Sequence, residues 1–554
     1  LSSLSISRST ATWRSPSLKL ADCNGDGRVD ALANMGRAIA LWQNQSERGW
    51  AEPQLIFNSE NVPSLADPTV HLADMTGDGL QDVVRVQSGR VEVWPSLGIG
   101  RFGQPMQLRN SPRLRDALRQ PQSVLLADLN GDGCADLVHF TPEGIEIFIN
   151  QNGMQFADAI LIRDVPPPIS GTVRAANMQG QMGSGLVWNS YRGRTMAYVQ
   201  LAFGNSLPYL LTTVENGSGL VSELLYRSAV EDFARDEAAG ELWDTHFPFP
   251  YLVVAGTRER DLVSGRSTAL DINYHQAHYE PYTRQFHGFR RSERIERSNG
   301  SLSRADVRIV FHYLMGQERL PGNGLEHAAL NGMLHRSETY SLDGSPDQNR
   351  PYRTEVSEYG LSVLGMLPDG RKRSFVFVAK HRLEDTERTN TGNLRGEEKT
   401  YTYDANGNVT KEQHRGYGTH AGVAQPERKR TSEISYANST TAWLLDRPSR
   451  IVVRDEAGAL LSETRRYYDG PDFVGLPLGQ TVRGLLSREE ALVLLQAEFD
   501  AHYAGMNAAT LGYAASNDVD GHLALFTQTG RCAYNTHGVK TAIQDELGNT
   551  SAYE

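Results

Sequence analysis

The chain of 554 residues carries 55 Lys and Arg against 66 Asp and Glu, a formal net charge of −11. That balance argues against a nucleic-acid partner, whose phosphates require a basic surface, and no apolar run reaches the roughly 18 residues a bilayer-spanning helix needs. The length allows about two to four domains with buried cores, while three cysteines, Cys23, Cys134 and Cys532, are too few for a disulfide framework, so no disulfide is expected.

An acidic loop organises the first 165 residues. It reads Asp22-Cys23-Asn24-Gly25-Asp26-Gly27-Arg28-Val29-Asp30, then Asp74-Met75-Thr76-Gly77-Asp78-Gly79-Leu80-Gln81-Asp82, then Asp128-Leu129-Asn130-Gly131-Asp132-Gly133-Cys134-Ala135-Asp136. The intervals of 52 and 54 residues between first aspartates belong to blades, solenoids or arrays rather than to a single-core enzyme domain. Loop positions 1, 3, 5 and 9 carry Asp22, Asn24, Asp26 and Asp30; Asp74, Thr76, Asp78 and Asp82; and Asp128, Asn130, Asp132 and Asp136. These are hard oxygen donors suited to calcium, on a loop whose glycines permit positive φ. An EF-hand is excluded, because its twelfth position needs a bidentate Glu and Ala33 stands there. One such loop reads equally well as a turn bonded to its own backbone. Three with the same carboxylate spacing point to calcium, the second copy being the weakest because of Thr76.

The flanks read as strands. Ser17–Ala21, Thr69–Ala73 and Ser123–Ala127 lead in, and Val83–Val86 and Leu137–Phe140 lead out. Ala40–Asn44, Val91–Pro95 and Ile145–Asn150 follow, each running through a Gly- or Asn-bearing turn to an aromatic residue, Trp50, Phe102 or Phe156. About four strands per period result, as in propeller blades. A fourth copy at Val173–Gly180 has Asn177 where the first aspartate should be and is expected to fold without metal.

From about residue 166 the pattern changes without becoming helical. Pro166-Pro167-Pro168 stiffens a connection, and Tyr209–Val214 predicts a buried strand entering a turn at Asn216-Gly217, with Leu224–Arg227 returning. Residues 231–241 are acidic and Ala-rich, a short helix or an exposed loop. Phe247-Pro248-Phe249-Pro250 confines the start of the next strand to an edge. Short alternating runs follow at Ile272–Tyr274, Arg308–Tyr313, Ser374–Val378, Tyr401–Tyr403, Glu433–Tyr436 and Arg465–Tyr468. One segment predicts a helix over about 487–504: Ser487-Arg488-Glu489-Glu490 has the form of a capping box, and Leu492, Leu495, Phe499 and Tyr503 follow at helical spacing.

Catalytic constellations are not found. His275 and His278, three apart on a strand, face opposite ways and cannot chelate one ion there. Gly183-Ser184-Gly185 and Asn216-Gly217-Ser218-Gly219 lack the strand, elbow and helix of a serine nucleophile. No P-loop and no CxxC pattern occurs.

The blades resemble the calcium-loop propeller repeats, of VCBS or FG-GAP type, found in integrin-type and related bacterial proteins. Their order with the later segments is similar to the B component of the bacterial ABC-type insecticidal toxin complexes, the Tc toxins. The segments carrying that resemblance are Pro208 through Asn216-Gly217-Ser218-Gly219, Trp243–Pro250, Tyr279–Phe289, Tyr401–Val409, which is a tyrosine-aspartate repeat of Rhs/YD type, and Tyr468-Asp469-Gly470-Pro471 leading to Gly475-Leu476-Pro477-Leu478-Gly479. The resemblance implies a mainly β chain, a partial β-propeller followed by a long antiparallel sheet that begins a Rhs/YD-repeat shell. Residues 1–165 would hold the three calcium-type blades, 166–215 a degenerate metal-free blade and connection, 216–390 the toxin-B middle region, and 391–554 the YD-repeat strands.

It also implies a secreted, non-enzymatic subunit, assembled in the bacterial cytoplasm before release. Such a subunit docks by its propeller on a pore-forming A component and, with a C component, encloses an effector. The alternative is a calcium-dependent adhesin or carbohydrate-binding propeller. Leu1 has no leader sequence after it, and Leu547-Gly548-Asn549 before Tyr553-Glu554 reads as a repeat cut short, so both ends are expected to be trimmed.

Overall fold

A computed structural model describes residues 15–25, 28–45, 49–57, 61–115, 123–165, 173–178, 180, 183–189, 196–199, 210–244, 251–280, 285–298, 305–316, 328–367, 372–388 and 392–553. Asp26, the Pro166-Pro167-Pro168 connection, Tyr209 and the Phe247–Pro250 edge lie outside these residues. The chain is mainly β, with small sheets followed by one antiparallel sheet of 18 strands. It divides into two compact units, Leu1–Ala269 with Asn273–His287, and Leu270–Ile272 with Gly288–Glu554.

In the first unit the 52- to 54-residue period becomes a series of meanders. Lys19–Ala21, Asp30–Met35, Ala38–Trp42 and Gln54–Ile56 pair in chain order, and so do Val70–Ala73, Asp82–Gln87, Arg90–Trp94 and Met106–Gln107. A third sheet joins Val124–Ala127, Asp136–Thr141, Gly144–Phe148 and Ile160–Ile162. Among the described residues the fourth copy gives three strands, Val173–Ala176, Gly185–Asn189 and Met196–Val199. The central strands read as near-continuous apolar runs because both of their faces are covered. Leu32, Ile39 and Leu41 pack with Val70, Val83 and Trp94, Val84, Val91 and Val93 with Leu137 and Phe156, and Val138, Ile145 and Ile147 with Leu186 and Trp188. Each sheet is thus layered on the next in chain order, the packing of propeller blades.

The long sheet begins at Thr213–Glu215 and Leu220–Ser228. Of the strand expected over Tyr209–Val214, the described part is half-buried at Leu210 and exposed from Leu211 on, and the strand itself is Thr213–Glu215, at the edge of the sheet among the described residues. The acidic segment forms the helix Ala229–Ala238, capped by the Ser228 side chain, with Glu231 answering at the third helical position.

The second unit is built of hairpins, and the tyrosine-aspartate stretch shows how several of them are closed. Asp404 Oδ1 accepts the N–H groups of Asn406 and Asn408, both at 2.9 Å, while Gly407 holds φ +86°, a conformation that glycine adopts without strain. Asp518, Asn535 and Asp545 repeat this, each accepting from the residues two and four further on at 2.7–3.0 Å. The tyrosines end on backbone carbonyls: Tyr403 on Val378, Tyr436 on Val409, Tyr468 on Pro448 and Tyr534 on Leu486, at 2.8–2.9 Å. A phenylalanine would fill the same space and leave those carbonyls without the bond.

Gly396 lies directly opposite Tyr417, whose ring covers it so closely that a Cβ would stand 2.3 Å from the ring. The Tyr417 hydroxyl donates to Glu384 at 2.8 Å. Gly396→Ala is therefore expected to push the ring aside, break that bond and cost about 1–3 kcal/mol, read as a lower urea midpoint. Gly416→Ala, with only a backbone atom 3.9 Å away, is the matched control.

The helix expected over 487–504 is corrected. Leu486–Leu495 is a strand, paired with Leu460–Tyr468 on one side and Leu523–Thr529 on the other, and the helix is confined to Gln496–His502. The apparent capping box is spent across strands: Glu489 accepts from Arg466 at 2.7 Å, and Glu490 from Tyr467 and Gln528 at 2.9 Å. These long-range pairings outweigh a weak local helix preference. The cap falls later, where Glu498 accepts from the Leu495 N–H at 3.3 Å. Among the described residues no helix is long and apolar enough to cross a membrane.

Candidate functional site: the acidic loops

Each acidic loop joins the first and second strands of its blade. In the third, Asp128 Oδ1 accepts from Gly131 at 2.7 Å and Oδ2 from Gly133 at 3.0 Å. Asn130 Oδ1 accepts from the Asp132 N–H at 3.1 Å, its amide donates to Asp132 Oδ2 at 3.0 Å, and Asp132 Oδ1 accepts from Cys134 at 2.8 Å. In the second loop, Asp74 takes Gly77 and Gly79, both at 2.7 Å, and Asp78 takes Leu80 at 2.9 Å. In the first, Asp22 Oδ1 takes Gly25 at 2.8 Å and Asn24 at 3.2 Å.

Position 9 behaves differently. Asp30, Asp82 and Asp136 are completely buried. In every copy Oδ2 accepts the N–H of loop position 2 and Oδ1 accepts the N–H of a residue just after the third strand. The pairs are Cys23 at 3.2 Å with Asn44 at 2.9 Å, Met75 at 2.9 Å with Ser96 at 2.8 Å, and Leu129 at 3.0 Å with Asn150 at 2.9 Å. The position-9 carboxylate is thus a clamp between the acidic loop and the connection from third to fourth strand. Burial pushes Asp82 up to about 6 and Asp136 to about 7, against the amide donors that hold them down. Burial, then the charges of Asp132, Asp74, Asp128 and Asp136, push the Cys134 thiol up to about 11.

The blades are also tied to one another through these loops. Ala135 donates to the Asp74 carbonyl at 2.6 Å and Ser184 to that of Asp128 at 3.0 Å, so Ser184 opens a blade strand instead of a nucleophile elbow.

Whether the donor set fits a cation turns on positions 1, 3, 5 and 9. Thr76 Oγ1 at position 3 of the second loop is buried and, among the described residues, has no hydrogen-bond partner, and a buried hydroxyl in that state favours a ligand. The copy that the sequence ranks weakest therefore holds the oxygen most in need of one. The carboxylates raise each other's proton affinity, Asp128 being pushed up by burial and then by Asp132, so positive charge at the loop would be stabilising. The oxygens offered to a cation are those of positions 1, 3, 5 and 9; Asp74 and Asp128 at position 1, like Asp30, Asp82 and Asp136 at position 9, also accept backbone amides through both carboxylate oxygens.

Among the described residues, three carboxylate or imidazole ligand atoms converge within 4.8 Å of one another only at Asp236, Glu241 and His275, a group the sequence reading passes over. His275 and His278 do take different partners, Asp236 at 2.9 Å and the ring of His287 with centroids 5.6 Å apart. The helix carrying Asp236 lies 39 residues before His275, a separation that no local pattern spans. The available signal was Asp232 and Asp236, one turn apart on an amphipathic segment.

Layered small sheets, with an acidic first loop in each of the first three copies, are followed by one long antiparallel sheet. Residues 74–139 match the FG-GAP-like repeat. Residues 149–316 match the insecticide toxin TcdB middle/N-terminal region. The fold is similar to a chain of the Photorhabdus luminescens Tc holotoxin pore, with a TM-score of 0.77 and 21% identity, covering 96% of this chain and 30% of that one. TcdB2-TccC3 gives a TM-score of 0.71 at 19% identity over 96% of this chain and 31% of that one. TcdB2-TccC3-Cdc42 gives 0.70 at 18% over 97% and 35%. The chain therefore spans about a third of the length of these structures. No curated protein sequence matches it. Divalent-cation binding is indicated by two features, the FG-GAP-like repeat and the Asp236, Glu241 and His275 group.

Proposed function

We propose that this chain is part of the B component of a Tc-type toxin complex, a non-enzymatic, secreted subunit that holds and passes on an effector. The observation that carries this reading is the fold likeness over 96% of the chain to the Tc holotoxin, with a toxin-specific match over residues 149–316. The partners follow from the relatives: TcdB2 is solved with TccC3, and a chain of a Tc holotoxin pore shares the fold, so this chain would meet a pore-forming A component through its blades and a C component through its shell strands. Residues 1–165 and 166–215 would then be propeller, 216–390 the middle shell and 391–554 the YD-repeat shell. The sheet has the make-up of a wall: Arg353–Met366 and Lys372–Thr386, 14 and 15 residues long, contain no buried residue, as expected where no second layer seals a core.

Calcium would occupy the acidic loops on the oxygens of positions 1, 3, 5 and 9. A cation held only by the folded state at 100 times its Kd stabilises by about 2.7 kcal/mol, so excess chelator is expected to lower the melting temperature of the blades by several degrees. An unchanged melting curve would reduce the loops to turns.

The function itself is tested by co-purifying the full chain with the A and C components of its own gene cluster. The expected result is a stable complex with each and no hydrolase or transferase activity of the chain alone. Failure to bind either component under conditions where both are folded would overturn the reading.

A further inference from the structure

The strands Arg353–Met366 and Lys372–Thr386 run past the strands beside them. Arg353–Val356 pairs with Arg336–Thr339 on one side, and Lys380–Thr386 with Leu394–Thr400 on the other. Beyond those positions, among the described residues, the two strands pair with each other alone, from Tyr359 opposite Val378 to Met366 opposite Lys372. An isolated two-stranded arm is marginal in water, and this one is held at its base. The Phe377 ring covers Gly360 so closely that a Cβ would stand 2.3 Å from it, and it meets the Tyr403 ring with centroids 4.9 Å apart. The Tyr403 hydroxyl donates to the Val378 carbonyl at 2.8 Å.

The arm ends in an apolar tip. Val363, Leu364 and Met366 are 51%, 60% and 70% exposed, and Leu367 is exposed beside them. Lys372 and Arg373 stand at the same end, also exposed. Neither has a carboxylate partner among the described residues, whereas further down the same hairpin Arg353 pairs with Asp385 at 2.7 Å and Lys380 lies 3.8 Å from Glu398. Residues 368–371, outside the described residues, add one acid and one base by sequence, Asp369 and Arg371.

Aliphatic side chains flanked by unpaired cations suit an anionic lipid surface, where the first enter the acyl boundary and the second meet the headgroups. A specific protein interface takes about 800 Å² from each partner and is anchored by aromatic residues and arginine in pockets; this tip offers four aliphatic side chains. The net charge of −11 does not oppose such docking, because exposed charges more than about 10 Å away are largely screened at 0.1 M salt. We propose that the tip docks the chain on a phospholipid surface bearing anionic headgroups, with Val363, Leu364, Met366 and Leu367 inserting and Lys372 and Arg373 meeting the headgroups. The inference does not depend on the toxin reading.

The test is co-sedimentation of the full chain with vesicles of phosphatidylcholine carrying about one-third phosphatidylserine, against vesicles of phosphatidylcholine alone. Binding is expected on the anionic vesicles, about 10-fold weaker or less on the neutral ones, and falling as salt is raised. Leu364→Asp, and Lys372→Glu combined with Arg373→Glu, should each weaken binding at least 10-fold. Val423→Asp, at another exposed apolar position (65%), should leave it unchanged. All these positions are exposed, so the variants are expected to fold, which circular dichroism checks. No binding to anionic vesicles, equal binding to neutral ones, or binding indifferent to Leu364→Asp would overturn the proposal. So would a dimer in solution that Leu364→Asp dissolves, since the tip would then belong to a second copy of the chain.

Discussion

Asp136→Ala is expected to destabilise the third blade by about 4 kcal/mol, from two buried amides each losing its acceptor at about 1–3 kcal/mol. Those amides belong to Leu129 and Asn150. Asn150 is itself fully buried and donates to the Met75 and Ala135 carbonyls at 2.9 and 3.1 Å, so loosening the clamp also loosens the seam between the second and third blades. Asp132→Ala provides the comparison, since it removes bonds only to its neighbours Asn130 and Cys134 and should cost well under half as much. Urea unfolding of both variants in excess chelator separates the clamp from any cation. Equal losses would show that position 9 has no special role.

Asp469→Ala should produce the second large effect. Its carboxylate collects five donors: the Thr481 hydroxyl at 2.9 Å and the N–H groups of Val482, Arg483, Gly484 and Leu485 at 2.7–3.1 Å. Its own backbone sits at φ +52°, a conformation that costs energy for a non-glycine residue and persists only where the surroundings enforce it. Without the carboxylate the 481–485 loop loses its anchor, and a loss of about 3 kcal/mol corresponds to roughly 100-fold faster hydrogen exchange at those four amides. Asp469→Asn keeps one acceptor oxygen and should fall between. Unchanged exchange in Asp469→Ala would refute this account.

Both aspartates show how much of a role a sequence can mark without explaining. Asp136 stood out as one of four repeated oxygen donors and Asp469 as part of a family-like stretch, yet each works by gathering amides from residues 7 to 16 positions away. A carboxylate that meets a cation and one that meets two N–H groups read the same in one dimension. The Ser487–Glu490 stretch failed for the same reason. Its charges suit a helix cap locally, and only the strands on either side, with Arg466, Tyr467 and Gln528, turn them to cross-strand bonds.

What the sequence determined by itself was everything carried by short-range periodicity: the recurring acidic loops, the alternating strands that flank them, and the hairpins closed by an Asp or Asn with a glycine three residues on. Those features rest on backbone conformation and side-chain direction within a few residues, which composition and spacing dictate directly. Tertiary structure alone decided which loop oxygens also take amides, where the strand before Gln496 ends, and that Asp236, Glu241 and His275 come together. Those outcomes depend on groups that folding brings together from distant segments, where burial makes every unpaired donor or charge costly and so selects the partner.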